Sequence, residues 1–146
     1  MGYSVYDTDS EAKRLMESSL EVVQKLSECF GRDIYHNGRL NRGLLSSRVF
    51  GESDKIVLLN SIVHPVVRFD FYRWSESLNE EICFVESAIL YESRFDELVD
   101  EVWTVTAPEE LRIGRVRQRS GLTEEEIKKR MAAQLSEEEK QRRAAH

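Results

Sequence analysis

Residues 82–85 read Ile82-Cys83-Phe84-Val85, a continuous apolar run of strand length. Upstream of it, apolar residues recur mostly at three- and four-residue spacing, so the period changes here from helical to extended. Val102-Trp103-Thr104-Val105 is a second such run, and Tyr3 to Tyr6 reads as a short strand ahead of both. Helical patterns separate the three. This alternation predicts an α/β fold built on a parallel sheet, covered by helices on both faces.

Working outward, Asp9 or Ser10 is placed to cap a helix that starts at Glu11, carries Leu20, Val23, Leu26 and Phe30, and stops at Gly31. Asn37-Gly38 marks a turn. Leu44, Leu45 and Phe50 suit a short helix closed by Gly51, and Ile56, Leu59, Ile62 and Val63 form another helical stripe. That stripe is expected to break at His64-Pro65, because the residue before a proline is biased away from the α region. Pro65 then opens a further helix with Val66, Phe69 and Trp74. After Pro108, a helix with Leu111, Val116 and four arginines ends at Gly121. Thr123 to Glu126 and Ser136 to Glu139 each read as a capping box opening a short charged helix.

The 146 residues are one domain's worth of chain, with 21 Lys+Arg against 27 Asp+Glu. At 40% apolar and 33% charged residues, the composition excludes a disordered chain and a membrane protein. No apolar run approaches the roughly 18 residues of a membrane span. Met1 to Val5 carries no signal-peptide pattern, so a cytoplasmic protein is expected, with Cys29 and Cys83 as reduced core thiols and no metal site. The charge is uneven: residues 1–106 hold 11 basic and 19 acidic side chains, residues 107–146 hold 10 and 8. A basic end on an acidic body suggests a local anion site, not a nucleic-acid surface.

Asp7-Thr8-Asp9 stands at the C-terminal end of a predicted strand, the edge where open α/β sheets bind ligands. An aspartate there could accept a hydroxyl proton or help hold Mg²⁺; the plainer alternative is a helix cap with a solvated neighbour. Arg112, Arg115 and Arg119 fall at i, i+3 and i+7 and project from one helix face, with Arg117 elsewhere. Such a face can clamp phosphate oxygens, or be a solvated surface paired with Glu109 and Glu110. His64 by itself reads as a turn or core histidine. No G-x-x-x-x-G-K-[ST] occurs in the 146 residues.

Taken in order, the segments resemble the dephospho-CoA kinase family. Val5-Tyr6-Asp7-Thr8-Asp9 with Lys13 resembles the family's strand ending in Asp-Ala-Asp with a basic residue beyond. Leu40-Asn41-Arg42 through Val49-Phe50 resembles its Leu-Asp-Arg…Val-Phe segment, and Val63-His64-Pro65 its Leu-His-Pro. Ala88-Ile89-Leu90-Tyr91-Glu92 resembles Pro-Leu-Leu-Phe-Glu; Arg112, Arg115 and Arg119 resemble the Gln…Arg…Arg lid helix. Arg130 to Gln134 and Ser136 to Lys140 resemble the Arg-Ile-x-x-Gln…Glu-Glu-Lys stretch. Ala88, Arg112 and Ser120 depart from the proline, glutamine and aspartate usual at those places.

The resemblance implies a P-loop kinase-like three-layer α/β/α fold. Residues 1–146 would be a single domain, with a helical CoA-binding region at 10–80 and a lid at 108–140. It implies ATP-dependent phosphorylation of the ribose 3′-hydroxyl of dephospho-CoA, with Mg²⁺. Asp9 and Asp7 would be catalytic. Lys13, Arg42, His64 and Glu92 would bind substrate, and Arg112, Arg115, Arg119 and Gln134 would serve ATP and the lid. Family members open with a strand and P-loop that these residues do not contain, and close with a strand and helix beyond residue 146. The chain is therefore expected to match the middle of the enzyme, to be inactive alone, and to self-associate through an open sheet edge. No nucleic-acid or membrane partner is expected. The alternatives are another P-loop nucleoside or nucleotide kinase, and a non-catalytic helical binding module.

Overall fold

A computed structural model describes residues 2–146; Met1, which the resemblance puts just ahead of the first strand, lies outside the described residues. The chain divides into two compact units, Met1–Ser87 and Ala88–His146. The expected 10–80 region falls in the first and the expected 108–140 region in the second.

In the first unit, strand β1 (Val5–Asp7) runs directly into helix α1 (Thr8–Ser18), followed by α2 (Leu20–Phe30). A hairpin comes next, β2 (Tyr35–His36) and β3 (Arg39–Leu40), then α3 (Arg42–Val49), α4 (Ser53–Ser77) and strand β4 (Phe84–Glu86). β1 pairs with β4 in parallel, with Val5 opposite Phe84 and Asp7 opposite Glu86. The period change at residues 82–85 thus marks a strand that lies one to two residues further on.

Three helical expectations are corrected. α1 begins at Thr8, not Glu11, because Asp7 takes the cap that the sequence assigned to Asp9 or Ser10. The single expected helix through Gly31 is two helices. Ser19 ends α1, its N–H donating to Leu15 O at 2.9 Å, and its hydroxyl caps α2 by accepting from Val22 N. The buried stripe of α2 is accordingly Val22, Leu26 and Phe30, and Leu20 is exposed. Finally, α4 does not break at His64-Pro65; it continues for 25 residues with Pro65 inside. An interior proline removes one helical hydrogen bond and costs about 3 kcal/mol. Here buried residues on both sides, Ile62 and Val63 before it and Val67 and Phe71 after, hold the two halves in one line.

These side chains join Leu15, Ile34, Leu40 and Leu45 in the core of the first unit, where α1 packs on α2 and α4. The β2–β3 turn has positive φ at Asn37 (49°) and Gly38 (75°), the two-residue geometry that Asn-Gly favours. Gly31 turns the chain at φ 96°, and a Cβ there would meet the Arg48 guanidinium, which donates to Asp33 Oδ1 at 2.8 Å. The cysteines are not core thiols: Cys29 is exposed and Cys83 half-buried.

In the second unit, a turn at Phe95–Leu98 buries Phe95, and helices α5 (Glu109–Ser120), α6 (Glu124–Ala132) and α7 (Glu137–Arg143) follow. The run Val102–Val105 does not form the expected strand. Among the described residues its backbone bonds run to the chain's end, Thr104 N to His146 O and Ala145 N to Val102 O, both 2.9 Å, and Trp103 and Val105 face solvent. The Thr123–Glu126 capping box is complete. At Ser136 only half of one forms, because the Glu139 carboxylate turns instead to Arg142 and Arg143. No helix among the described residues is long and apolar enough to cross a membrane.

Candidate functional site

The parallel pairing of β1 with β4 brings Asp7 to the C-terminal edge of a two-strand ladder, and α1 starts at the next residue. Thr8 Oγ1 donates to Glu86 O at 3.0 Å, tying the start of α1 to the end of β4. Asp7 Oδ1 accepts from the backbone N–H groups of Asp9 (3.0 Å) and Ser10 (3.3 Å), and Oδ2 accepts from the Ser10 hydroxyl at 2.6 Å. These bonds, the Ser10 hydroxyl foremost, hold the Asp7 carboxyl below the usual aspartate range. Asp7 therefore has both oxygens committed to the helix start.

Asp9 differs. Its side chain is 77% exposed and pairs with Lys13, a turn further along α1. Asp7, Asp9 and Lys13 thus form one cluster, with a fixed carboxylate beside a solvent-facing one. Arg42, the first residue of α3, reaches α1 another turn on, 3.4 Å from Glu17. Asn41, where the resembled family has aspartate, caps α3 by accepting from Leu44 N at 3.0 Å. His64 lies half-buried on α4, and burial lowers its pKa below the ordinary histidine value, favouring the neutral imidazole.

The cap makes a prediction about pH. A carboxyl with a lowered pKa stabilises the fold above its unfolded value, near 4, and loses that contribution as pH falls through the folded value. Asp7→Ala should therefore lower Tm at pH 7, and by progressively less as the pH is taken down below about 4. A loss that stays constant across that descent would contradict the assignment.

In the second unit, three of the sequence-predicted residues, Glu92, Gln134 and Arg112, lie around the start of α7. Glu92 Oε1 accepts from Leu135 N at 2.7 Å. Gln134 Oε1 accepts from Lys140 Nζ at 3.2 Å, and Arg112 Nη1 pairs with Glu137 Oε1 at 2.7 Å. Arg112, Gln134 and Glu137 line a pocket of about 720 Å³ together with Thr106, Pro108 and Met131. The three-arginine face does not present itself whole. Arg112 is turned to α7, with a buried Nε lacking a hydrogen-bond partner, while Arg115 and Arg119 are exposed. Arg117 is exposed too, and its charge acts on Glu124 at the start of α6. Ser120, at the usual aspartate position, bonds back into its own helix through Val116 O at 2.7 Å.

Sequence reasoning missed the parts played by Ser10, Glu137 and Lys140. Ser10 was legible as a partner of Asp7 at the i+3 spacing of a cap. Glu137 and Lys140 stand in charged runs that carry no signal of which member turns inward. Among the described residues no three His, Cys, Asp or Glu side chains are grouped as a metal site.

The family profile described as dephospho-CoA kinase matches residues 1–146. A dephospho-CoA kinase from Porphyromonas gingivalis is 40% identical over 138 residues, which are 94% of this chain and 68% of that protein. One from Corynebacterium diphtheriae is 37% identical, covering 98% of this chain and 74% of its own length. A crystal structure from Thermus thermophilus superposes with a TM-score of 0.84 at 35% identity, over 98% of this chain and 73% of that one. A dephospho-CoA kinase from Campylobacter jejuni gives 0.67 at 25% identity, with the same coverage.

Proposed function

The chain belongs to the dephospho-CoA kinase family, and on that premise we propose how its residues serve the transfer. The family's enzymes are transferases that phosphorylate dephospho-CoA with ATP, the last step of coenzyme A biosynthesis. In our reading, Asp9 accepts the proton of the ribose 3′-hydroxyl or orients that hydroxyl for attack. The observation that carries this is the division of labour at the strand end: Asp7 is consumed by the cap, and Asp9 is left facing solvent. Asp7 supports Asp9 by fixing the helix start. Lys13 and Arg42 neutralise the anionic substrate, and neutral His64 shapes its site without adding charge.

In the second unit, Arg115 and Arg119, exposed on one face of α5, close over ATP and offset charge developing on the transferred group. Arg112 and Gln134 line the pocket, and Glu92 holds its wall at Leu135. Mg²⁺ enters as part of the MgATP substrate. Among the described residues no three His, Cys, Asp or Glu side chains are grouped to cage it. Cytoplasmic location remains part of this proposal, and so does the absence of nucleic-acid partners, which the acidic balance of the chain supports.

Phosphoryl transfer depends on positioning and charge stabilisation, which in P-loop enzymes a run of loop N–H groups and a lysine supply. The 146 residues contain no such motif. We expect this polypeptide by itself to form no CoA from ATP and dephospho-CoA, while still binding dephospho-CoA through its first unit. We also expect it to self-associate through the two-strand sheet, whose strands pair only with each other among the described residues. The test is calorimetric titration with dephospho-CoA, a turnover assay, and solution mass. Turnover matching a full-length relative, or no binding at all, would overturn this reading.

A further inference from the structure

We propose that Asp70 is a positioning residue for the acceptor end of the site: it clamps β1 and α1, and through them Asp7, Asp9 and Lys13, onto α4. The proposal rests on the role given to Asp9 above. Tyr6 is 3% exposed, and its hydroxyl donates to Asp70 Oδ2 at 2.7 Å. The same oxygen accepts from Arg14 Nη2, also at 2.7 Å. Tyr6 immediately precedes Asp7, and Arg14 immediately follows Lys13. A single carboxylate oxygen on α4 therefore ties down the neighbour of the capping aspartate and the neighbour of the lysine that pairs with Asp9.

The geometry around it is directional. The Tyr6 ring packs edge-on against Phe71 at 5.3 Å and tilted against Trp74 at 5.2 Å, so the phenol is held against α4 by the two rings that follow Asp70. Arg14 is also paired with Glu11 on its own helix, which fixes the guanidinium between α1 and α4. An exposed ion pair alone would contribute little. This one differs because one donor is a buried phenol, which loses its charge-assisted partner when Asp70 is removed. Burial first, and the Asp70 bond second, push the Tyr6 phenol far above its ordinary pKa, so it stays a donor wherever the chain is folded.

The test is amide hydrogen exchange on the ¹⁵N-labelled 146-residue chain, read at Asp9 and Ser10, whose N–H groups bond to Asp7. Asp70→Ala should speed exchange at these two amides about tenfold and leave the amides of α2 unchanged. Asp70→Asn, which keeps an acceptor for the phenol, should restore most of the protection. Tyr6→Phe, a smaller change, should reproduce the effect in part. Asp33→Ala, which breaks the Arg48 pair in the same unit, should leave Asp9 and Ser10 as they were. Unchanged exchange in Asp70→Ala, or a uniform increase across the whole unit, would overturn the proposal. Because no ligand is involved, the outcome is independent of whether Asp9 handles the hydroxyl, which the Asp9→Asn variant tests separately.

Discussion

Asp9→Asn is expected to lower kcat about a hundredfold or more, with thermal stability nearly unchanged, in an active polypeptide that carries these residues behind a P-loop. The substitution keeps shape and one acceptor oxygen while removing the charge and proton affinity. The structure sharpens the expectation, because Asp9 is not the cap of α1 and Asp7 is. The Lys13 pair that Asp9→Asn breaks is exposed and within one helix, so its loss barely affects folding. Steady-state kinetics beside a thermal melt checks both halves. A fully active variant would reduce Asp9 to an ordinary first-turn residue.

The second large effect lies in α5. Arg115→Ala should reduce kcat/KM about ten- to a hundredfold, the worth of one charge-assisted contact made in the transition state. Arg117→Ala should have a much smaller effect. Both side chains are exposed, so stability and desolvation do not separate them. Direction does: Arg115 and Arg119 are one turn apart on a shared face, while Arg117 is rotated away and lies in the field of Glu124. Equal losses from the two substitutions would contradict the lid assignment.

The parts of the fold that were legible in sequence are those fixed by local chemistry. Asn37-Gly38 forms its turn, Gly121 ends α5 at φ 68°, and Thr123 with Glu126 caps α6. Val22, Leu26 and Phe30 were nearly legible; the buried stripe is displaced from the expected one because two serines, Ser18 and Ser19, divide the helix. Pro65 shows the opposite case. Its local bias against helix is real, but burial of Val63 and Val67 on either side outweighs it. Val102–Val105 failed for a related reason: an apolar run becomes a strand only where a neighbour supplies a ladder, and composition cannot say where that neighbour lies.

The site was legible in identity more than in state. Asp7 and Asp9 were placed together, but which would cap and which would face solvent depended on where α1 starts. Arg112 was counted with Arg115 and Arg119 on spacing, and only the fold reveals that Glu137 takes it. Asp70 carried no signal at all, since its partners are Tyr6 and Arg14, 64 and 56 residues away.

The central claim is that these residues serve phosphoryl transfer to dephospho-CoA and not to nucleosides in general. The most direct measurement is a competition in which an active polypeptide carrying them meets ATP with equimolar dephospho-CoA and adenosine, the products followed by mass. The account predicts that dephospho-CoA alone gains a phosphoryl group and that Asp9→Asn abolishes that gain. Comparable phosphorylation of adenosine would contradict it.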